Sequence, residues 1–411
     1  MALPPHGESR PDIAGLSVDR LAAVDHFLQT RYLDTGRLKG CVTLIARRGE
    51  IAHHSALGLM DAERGRPMCV DTLFRIYSMT KPLTSLAFMM LVEQGLVALD
   101  DPVSRYIPQW SKLGVFDGGL IGAFRAKPVD RPMRIIDLLR HTSGLTYGFQ
   151  QRTNVDAAYR RLGLGEIELS GTLDALIDAL ADLPLEFSPG EAWNYSISTD
   201  VIGYLIGQIS GQPFEDFLRT RLLAPLGMVD TDFFVPPHKA DRLAACYALT
   251  PDGVAVQDDP TSSPYLAPPS FVSGGGGLVS TAADYMRFCQ MILNRGALDG
   301  RRYVSPKTLE LMAANHLPGA GDLASLSRSM FSEASYAGIG FGLGFATTID
   351  APATLIPGSR GDLFWGGAAS TSFWIDPAEA LSVVFLTQLL PSSAYPIRRE
   401  LRTLVYSAFT D

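Results

Sequence analysis

The chain has no long run of lysine or arginine, and its balance is acidic: 35 Lys and Arg against 43 Asp and Glu, with a formal net charge of -8. Such a surface offers no electrostatic footprint for nucleic acid or another polyanion. No uninterrupted apolar stretch is long enough to cross a bilayer, so no membrane partner is expected. The amino terminus, from Met1 to Asp12, lacks the charged segment and apolar core of an export signal, and a cytoplasmic protein is the expectation. Cysteine is scarce. Cys41, Cys69, Cys246 and Cys289 are scattered without the short spacing of a zinc knuckle or redox pair, and read as buried, reduced thiols.

Other signatures fail as well. His53 and His54 sit side by side in a strand-like run, where neighbouring side chains point to opposite faces and do not converge on one metal ion. There is no Gly-x-Ser-x-Gly, which argues against the nucleophile elbow of an α/β-hydrolase. The run Gly274 to Gly277 lacks the Gly-Lys-Ser/Thr ending of a phosphate loop; Thr281-Ala-Ala-Asp284 behind it fits a helix cap, so a tight turn into a helix is expected. Internal repeats, coiled-coil heptads and low-complexity tracts are absent.

What is present is a globular composition: 411 residues, 46% hydrophobic, enough to bury a large core in two lobes. Ser17 can cap a helix carrying Leu21, Val24, Phe27 and Leu28, followed by strand-like Cys41 to Ala46 and a second strand after Arg48-Gly49. The carboxyl end mirrors this, with strands Thr371 to Ile375 and Leu381 to Leu386 about an Asp376-Pro377 turn and a last helix near Tyr395 to Phe409. Between the ends, helical patterns joined by Pro- and Gly-rich loops dominate, one carrying Val201, Ile202, Leu205, Ile206 and Ile209 and stopping at Gly211. The expected architecture is α/β in the α+β sense: a discontinuous sheet domain from residues 1–95 and 272–411, a mostly helical domain from 96–271, and a ligand cleft at their junction.

Ser78 lies beside that junction, in Arg75-Ile-Tyr-Ser-Met-Thr-Lys-Pro82, where a strand-like Thr72 to Tyr77 gives way to a helix apolar nearly all round. Lys81 follows three residues later, on the same helical face, so its amine can lean back toward the serine hydroxyl. A serine is a weak nucleophile until a base takes its proton, and a desolvated lysine can be that base. The helix amino end favours negative charge, which suits a developing oxyanion. The pair needs a second proton-handling group, and Tyr195, in Pro189-Gly-Glu-Ala-Trp-Asn-Tyr-Ser196 just ahead of a helix, is a reasonable one. In Phe364-Trp-Gly-Gly-Ala-Ala369 the paired glycines would let a strand approach a ligand closely, and an N–H beyond them could join that of Ser78 as an oxyanion donor.

Ser78-Met-Thr-Lys81, His141-Thr-Ser-Gly-Leu145, Pro189-Gly190 with Trp193-Asn-Tyr-Ser196, Gly274 to Thr281 and Trp365-Gly-Gly367 occur in the order of family VIII carboxylesterases, which resemble class C β-lactamases and penicillin-binding proteins. The resemblance spans roughly residues 40–390. It implies the β-lactamase/transpeptidase-like fold, Ser78 as nucleophile, Lys81 and Tyr195 as the proton-transfer pair, the N–H groups of Ser78 and Ala368 as oxyanion hole, and Tyr147 lining the pocket. A small-molecule ester is the implied partner, and no metal or organic cofactor is needed. Where β-lactamases carry Lys-Thr-Gly, this chain has Trp365, Gly366 and Gly367, an apolar wall in place of the cation that receives a β-lactam carboxylate. Ile197 stands where the class C pattern has Asn. Each hydrogen bond forgone is worth about 1 kcal/mol, which favours less polar esters and leaves cephalosporin hydrolysis a slow side activity. The implied function is a serine carboxylesterase for small, short-acyl esters. Its rivals are an acyltransferase using the same acyl-enzyme, a β-lactamase or D-Ala-D-Ala peptidase, and a catalytically silent ligand-binding homologue. His141 reads as a loop hydrogen-bonding residue.

Overall fold

Two stretches from opposite ends of the chain pair at the centre of one sheet. Strand Gly40–Arg47 lies between Glu50–Asp61 on one side and Leu381–Thr387 on the other, with Leu44 opposite Val384 and Val42 opposite Leu386. The computed structural model describes residues 9–12, 14–165, 170–328 and 336–411; residues 1–8, on which part of the export expectation rests, lie outside it. The sheet has eight strands, ordered Ile339–Phe341, Ala346–Thr348, Leu363–Gly366, Ser372–Asp376, Leu381–Thr387, Gly40–Arg47, Glu50–Asp61 and Arg66–Pro67, all antiparallel.

Every residue of Gly40–Arg47 is buried because helices cover both faces of the sheet. Alternate side chains serve the two layers. Cys41 and Ile45 pack with Leu21, Val24 and Leu28 of helix Val18–Leu28 and with Leu401 and Val405 of helix Ile397–Tyr406. Val42 and Leu44 join the larger core with Leu86, Met286 and Val384, under helices Thr80–Glu93 and Ala282–Leu293. Thr281 caps the latter helix through Asp284 N, as its sequence pattern predicts. Helix Thr80–Glu93 is buried continuously from Thr80 to Leu91 and stops ahead of Gly95, whose φ of 71° suits glycine. It packs on helix Ser198–Ser210, which ends at Gly211 with φ 70°.

The fold departs from the sequence expectations at several points. The strand expected over Thr72 to Tyr77 is only Phe74–Arg75, paired with Val279–Ser280, because Tyr77 turns at φ 42° into a 3-10 turn, Tyr77–Met79. Ser78 therefore sits in that turn, ahead of the helix proper. The middle of the chain also carries two hairpins, Val115–Leu120 with Ala123–Lys127 and Cys246–Thr250 with Gly253–Asp258. Cys69 is exposed, unlike the other three thiols. The second hairpin pairs in parallel with Leu389–Leu390 and so forms one wall of the cleft described next. Among the described residues no helix is long and apolar enough to cross a membrane, and no cluster of His, Cys, Asp and Glu could hold a metal ion. His53 pairs instead with Asp25, at 2.9 Å.

Candidate active site

Ser78 opens onto a cavity of about 530 Å³. Its hydroxyl is 3.1 Å from Lys81 Nζ, the i to i+3 contact expected of this spacing. Lys81 is 1% exposed, and its ammonium is held from several sides. It donates to the Gly275 carbonyl at 2.7 Å and lies 4.6 Å from the centre of the Tyr195 ring and 5.4 Å from that of Tyr147, cation–π distances.

The Gly275 carbonyl is itself held in place. Asp200, in the first turn of helix Ser198–Ser210, accepts from Gly275 N at 2.9 Å and from Ser273 Oγ at 2.6 Å. Burial raises the pKa of this carboxyl, against the opposing pull of Ser273, Lys81 and the Gly275 N–H. Gly275 leaves room for this contact: a Cβ there would press on Asp200 Oδ2 at 2.8 Å. Thr84 Oγ1 donates to the Gly274 carbonyl at 2.8 Å, tying the same turn to helix Thr80–Glu93. The glycine turn thus supplies Lys81 with an acceptor, a role its sequence alone did not suggest. The signal was a lone acid directly ahead of the apolar stripe Val201, Ile202 and Leu205, on a helix with Asp200 itself 3% exposed.

Tyr195 stands in an aromatic box. Its ring lies 5.0 Å from His141, 5.3 Å from Tyr147 and 5.4 Å from Trp365, and is stacked 6.0 Å from Trp193. Trp365 Nε1 donates to the Tyr195 hydroxyl at 3.3 Å, so the indole is more than the apolar wall expected of it: its N–H is polar and aimed at the phenol. His141 is fully buried; desolvation, and secondarily Lys81, push its pKa well down and keep it neutral. Its Nδ1 meets Ser196 Oγ at 3.2 Å, the loop-holding hydrogen bond expected. Burial raises the Tyr147 phenol well above its ordinary range, with Tyr195 and Asp200 adding to the effect.

Opposite Ser78 runs the segment Trp365 to Ala368. The glycines here accommodate the protein's own backbone, where the sequence suggested close approach to a ligand. A Cβ at Gly367 would collide with the Ile76 carbonyl and Thr371 Oγ1, and one at Gly366 would meet the Arg398 guanidinium at 2.6 Å. Gly367 N donates to Thr371 O at 3.0 Å, and Arg398 donates to both Gly367 O, at 2.7 Å, and Thr371 O, at 3.0 Å. The Ala368 N–H has no acceptor among the described residues. Ser78, Tyr147, Tyr195, Trp365, Gly366, Gly367 and Ala368 all line the one cavity. Ile197, expected beside the substrate where the class C pattern has Asn, does not: it is 1% exposed and packs beneath Gly165.

Comparison with known proteins shows the family. The family model described as Beta-lactamase matches residues 23–407. Protein Rv1367c of Mycobacterium tuberculosis is 38% identical over 87% of this chain and 88% of its own length. Esterase EstB of Burkholderia gladioli is 34% identical over 96% of each chain. Among solved structures, EstCE1, titled a hydrolase with promiscuous acyltransferase activity, superposes with a TM-score of 0.79 at 30% identity, over 94% of this chain and 99% of its own.

Proposed function

The chain belongs to the beta-lactamase family and is a serine carboxylic ester hydrolase, and from that premise we propose that Ser78, Lys81 and Tyr195 carry its chemistry on short-acyl esters. The observation that carries the reading is Lys81 Nζ at 3.1 Å from Ser78 Oγ, beside the Tyr195 ring, at the wall of a cavity. Ser78 Oγ attacks the ester carbonyl while its proton passes to the Lys81–Tyr195 pair. The N–H groups of Ser78 and Ala368 stabilise the oxyanion. The pair returns the proton to the departing alkoxide, leaving an acyl-serine and free alcohol. Water then attacks the acyl carbon and gives a proton to the same pair, which passes it to Ser78 Oγ as the C–Oγ bond breaks, releasing the acid and restoring Ser78.

Asp200 positions Gly275, and through it Lys81. Trp365 gives the phenol oxygen a donor, which stabilises it when its proton is on loan. Trp365 in place of a lysine supports slow rather than efficient cephalosporin turnover as a side activity; the cations that line the cavity, Arg398, Arg399 and Arg402, come from another element. Transfer of the acyl group to an added alcohol is a second outcome of the same intermediate, supported by the likeness to EstCE1, a hydrolase with promiscuous acyltransferase activity.

Trapping with an organophosphonate ester, followed by peptide mass spectrometry, tests the nucleophile: label is expected on Ser78. In parallel, Ser78→Ala is expected to lower kcat on p-nitrophenyl butyrate by about 10³-fold or more. Label on another residue, or an alanine variant as fast as wild type, would end the assignment.

A further inference from the structure

The residue before the nucleophile is a tyrosine in the left-handed region, with φ 42°. A side chain with a Cβ is disfavoured there, whereas glycine would adopt the conformation freely. The turn into Ser78 explains the backbone angle but not the tyrosine, and an outlier of this kind at a reacting centre points to what the side chain does. The Tyr77 ring is 8% exposed. It packs with Cys246, Ala369 and Leu390, with Ala248 and Ala368 at its edge, and its hydroxyl lies 3.9 Å from Cys246 Sγ. These partners come from the Cys246–Thr250 strand, from the turn after Gly367 and from Leu389–Leu390; most are small. Tyr77, Ala248, Ala368 and Leu390 also line the cavity, so the ring fills space that would otherwise belong to a ligand.

Which half of an ester would meet that ring follows from the segment opposite. Trp365 bonds the Tyr195 hydroxyl, while Ala368 and Ala369, three and four residues on, touch Tyr77. Trp365 lies on strand Leu363–Gly366 and Ala368 and Ala369 lie in the turn beyond it, so the Tyr195 hydroxyl and the Tyr77 ring meet successive parts of this segment. The leaving alcohol must lie by the phenol that reprotonates it, so the arm at the Tyr77 end receives the acyl chain. We propose that Tyr77 closes the acyl arm of the cavity and sets the length of acyl group the enzyme accepts. The proposal rests on the acyl-serine reading above and deepens it: the substrates are short-acyl esters because a ring held in a glycine-like conformation blocks longer ones.

The test is kcat/KM across p-nitrophenyl acetate, butyrate, hexanoate and octanoate for wild type, Tyr77→Phe, Tyr77→Ala and Tyr77→Gly, beside a series of acetates with alcohols of increasing size. In the alanine and glycine variants the octanoate-to-acetate ratio is expected to rise about tenfold or more, mainly through KM. Tyr77→Phe, which keeps the ring, should retain the wild-type profile, and the alcohol series should keep its order in every variant. Ala248→Phe, at a half-buried strand position facing the same arm, gives an independent measurement if the Tyr77 variants fold poorly; it is expected to cut hexanoate turnover relative to acetate. An unchanged acyl profile in folded variants, or a shift confined to the alcohol series, would overturn the proposal. Organophosphonate labelling of the wild type separates the two levels: without label on Ser78 the acyl-serine reading itself falls, whereas with it an unmoved profile removes only the role of Tyr77.

Discussion

At Trp365 a residue type that reads as hydrophobic makes a polar contact. Its N–H donates to the Tyr195 hydroxyl, at 3.3 Å, and its ring lies against both Tyr195 and Phe341. Trp365→Phe keeps an aromatic wall and removes the donor. A single hydrogen bond is worth about 1 kcal/mol net, so kcat on p-nitrophenyl butyrate should fall by about 3–10-fold with KM little changed. A rise in KM at constant kcat would instead mark the indole as a substrate wall alone. Ser78 and Lys81 were legible at this scale because a helix brings i and i+3 together whatever the rest of the chain does. Asp200 was not: its partners Ser273 and Gly275 stand more than 70 residues away, and only the tertiary fold shows what the buried carboxylate holds. Ile197 was misplaced for the converse reason. It stands two residues from Tyr195, but the backbone bonds at Ile197 N and the turn into Ser198–Ser210 send its side chain into the core.

The segment from Leu363–Gly366 through the turn closed by Thr371 carries the Ala368 N–H proposed as an oxyanion donor. Three features fix it: pairing of Trp365 with Phe373 and Gly366 with Ser372, the Gly367 N to Thr371 O bond, and the Arg398 fork across two carbonyls. Gly367 has no room for a Cβ against Ile76, two residues before Ser78. Gly367→Ala should push this segment from the nucleophile turn, costing about 1–3 kcal/mol of stability and about 10²-fold in kcat through the displaced Ala368 N–H. Thermal melting and steady-state kinetics would check the two effects separately; a stability loss without a loss of kcat would clear Ala368 of the oxyanion role. The strands Ser372–Asp376 and Leu381–Thr387 were legible from their β-branched and aromatic runs about a turn. Hairpin Val115–Leu120 with Ala123–Lys127 was not, since all its residues but Val115 are exposed or half-buried and no alternation of apolar and polar residues marks it.

Across the whole molecule, the sheet's helical backing and the rest of the chain meet at Asp284. This residue opens helix Ala282–Leu293, which packs behind the central strands, and its Oδ2 accepts from Asp230 N at 2.7 Å and Thr231 Oγ1 at 2.8 Å. Burial raises its pKa from 3.8 to about 6, against the Thr231 and Asp230 N–H bonds, with the Asp230 charge adding to the rise and Lys239 opposing it. Asp230 is shifted the other way: its own burial is outweighed by Arg242 and Lys239, so it stays charged and repels a second charge beside it. Between pH 4 and 6 the unfolded chain has released the Asp284 proton while the folded chain keeps it. Stability from this group is therefore fully present below pH 4 and is lost as pH rises through 6, about 3 kcal/mol in all. Asp284→Asn keeps an acceptor for Asp230 N and Thr231 and removes the titration. The variant should match wild type near pH 4 and exceed it in stability at pH 7–8. Since carboxylates held below their ordinary range, such as Asp137 and Asp101, impose an opposite slope on both proteins, the informative quantity is the difference between their denaturant midpoints across pH 4–8. A difference that stays flat with pH would show that Asp284 is charged in the folded protein throughout, and that the junction tolerates two adjacent carboxylates.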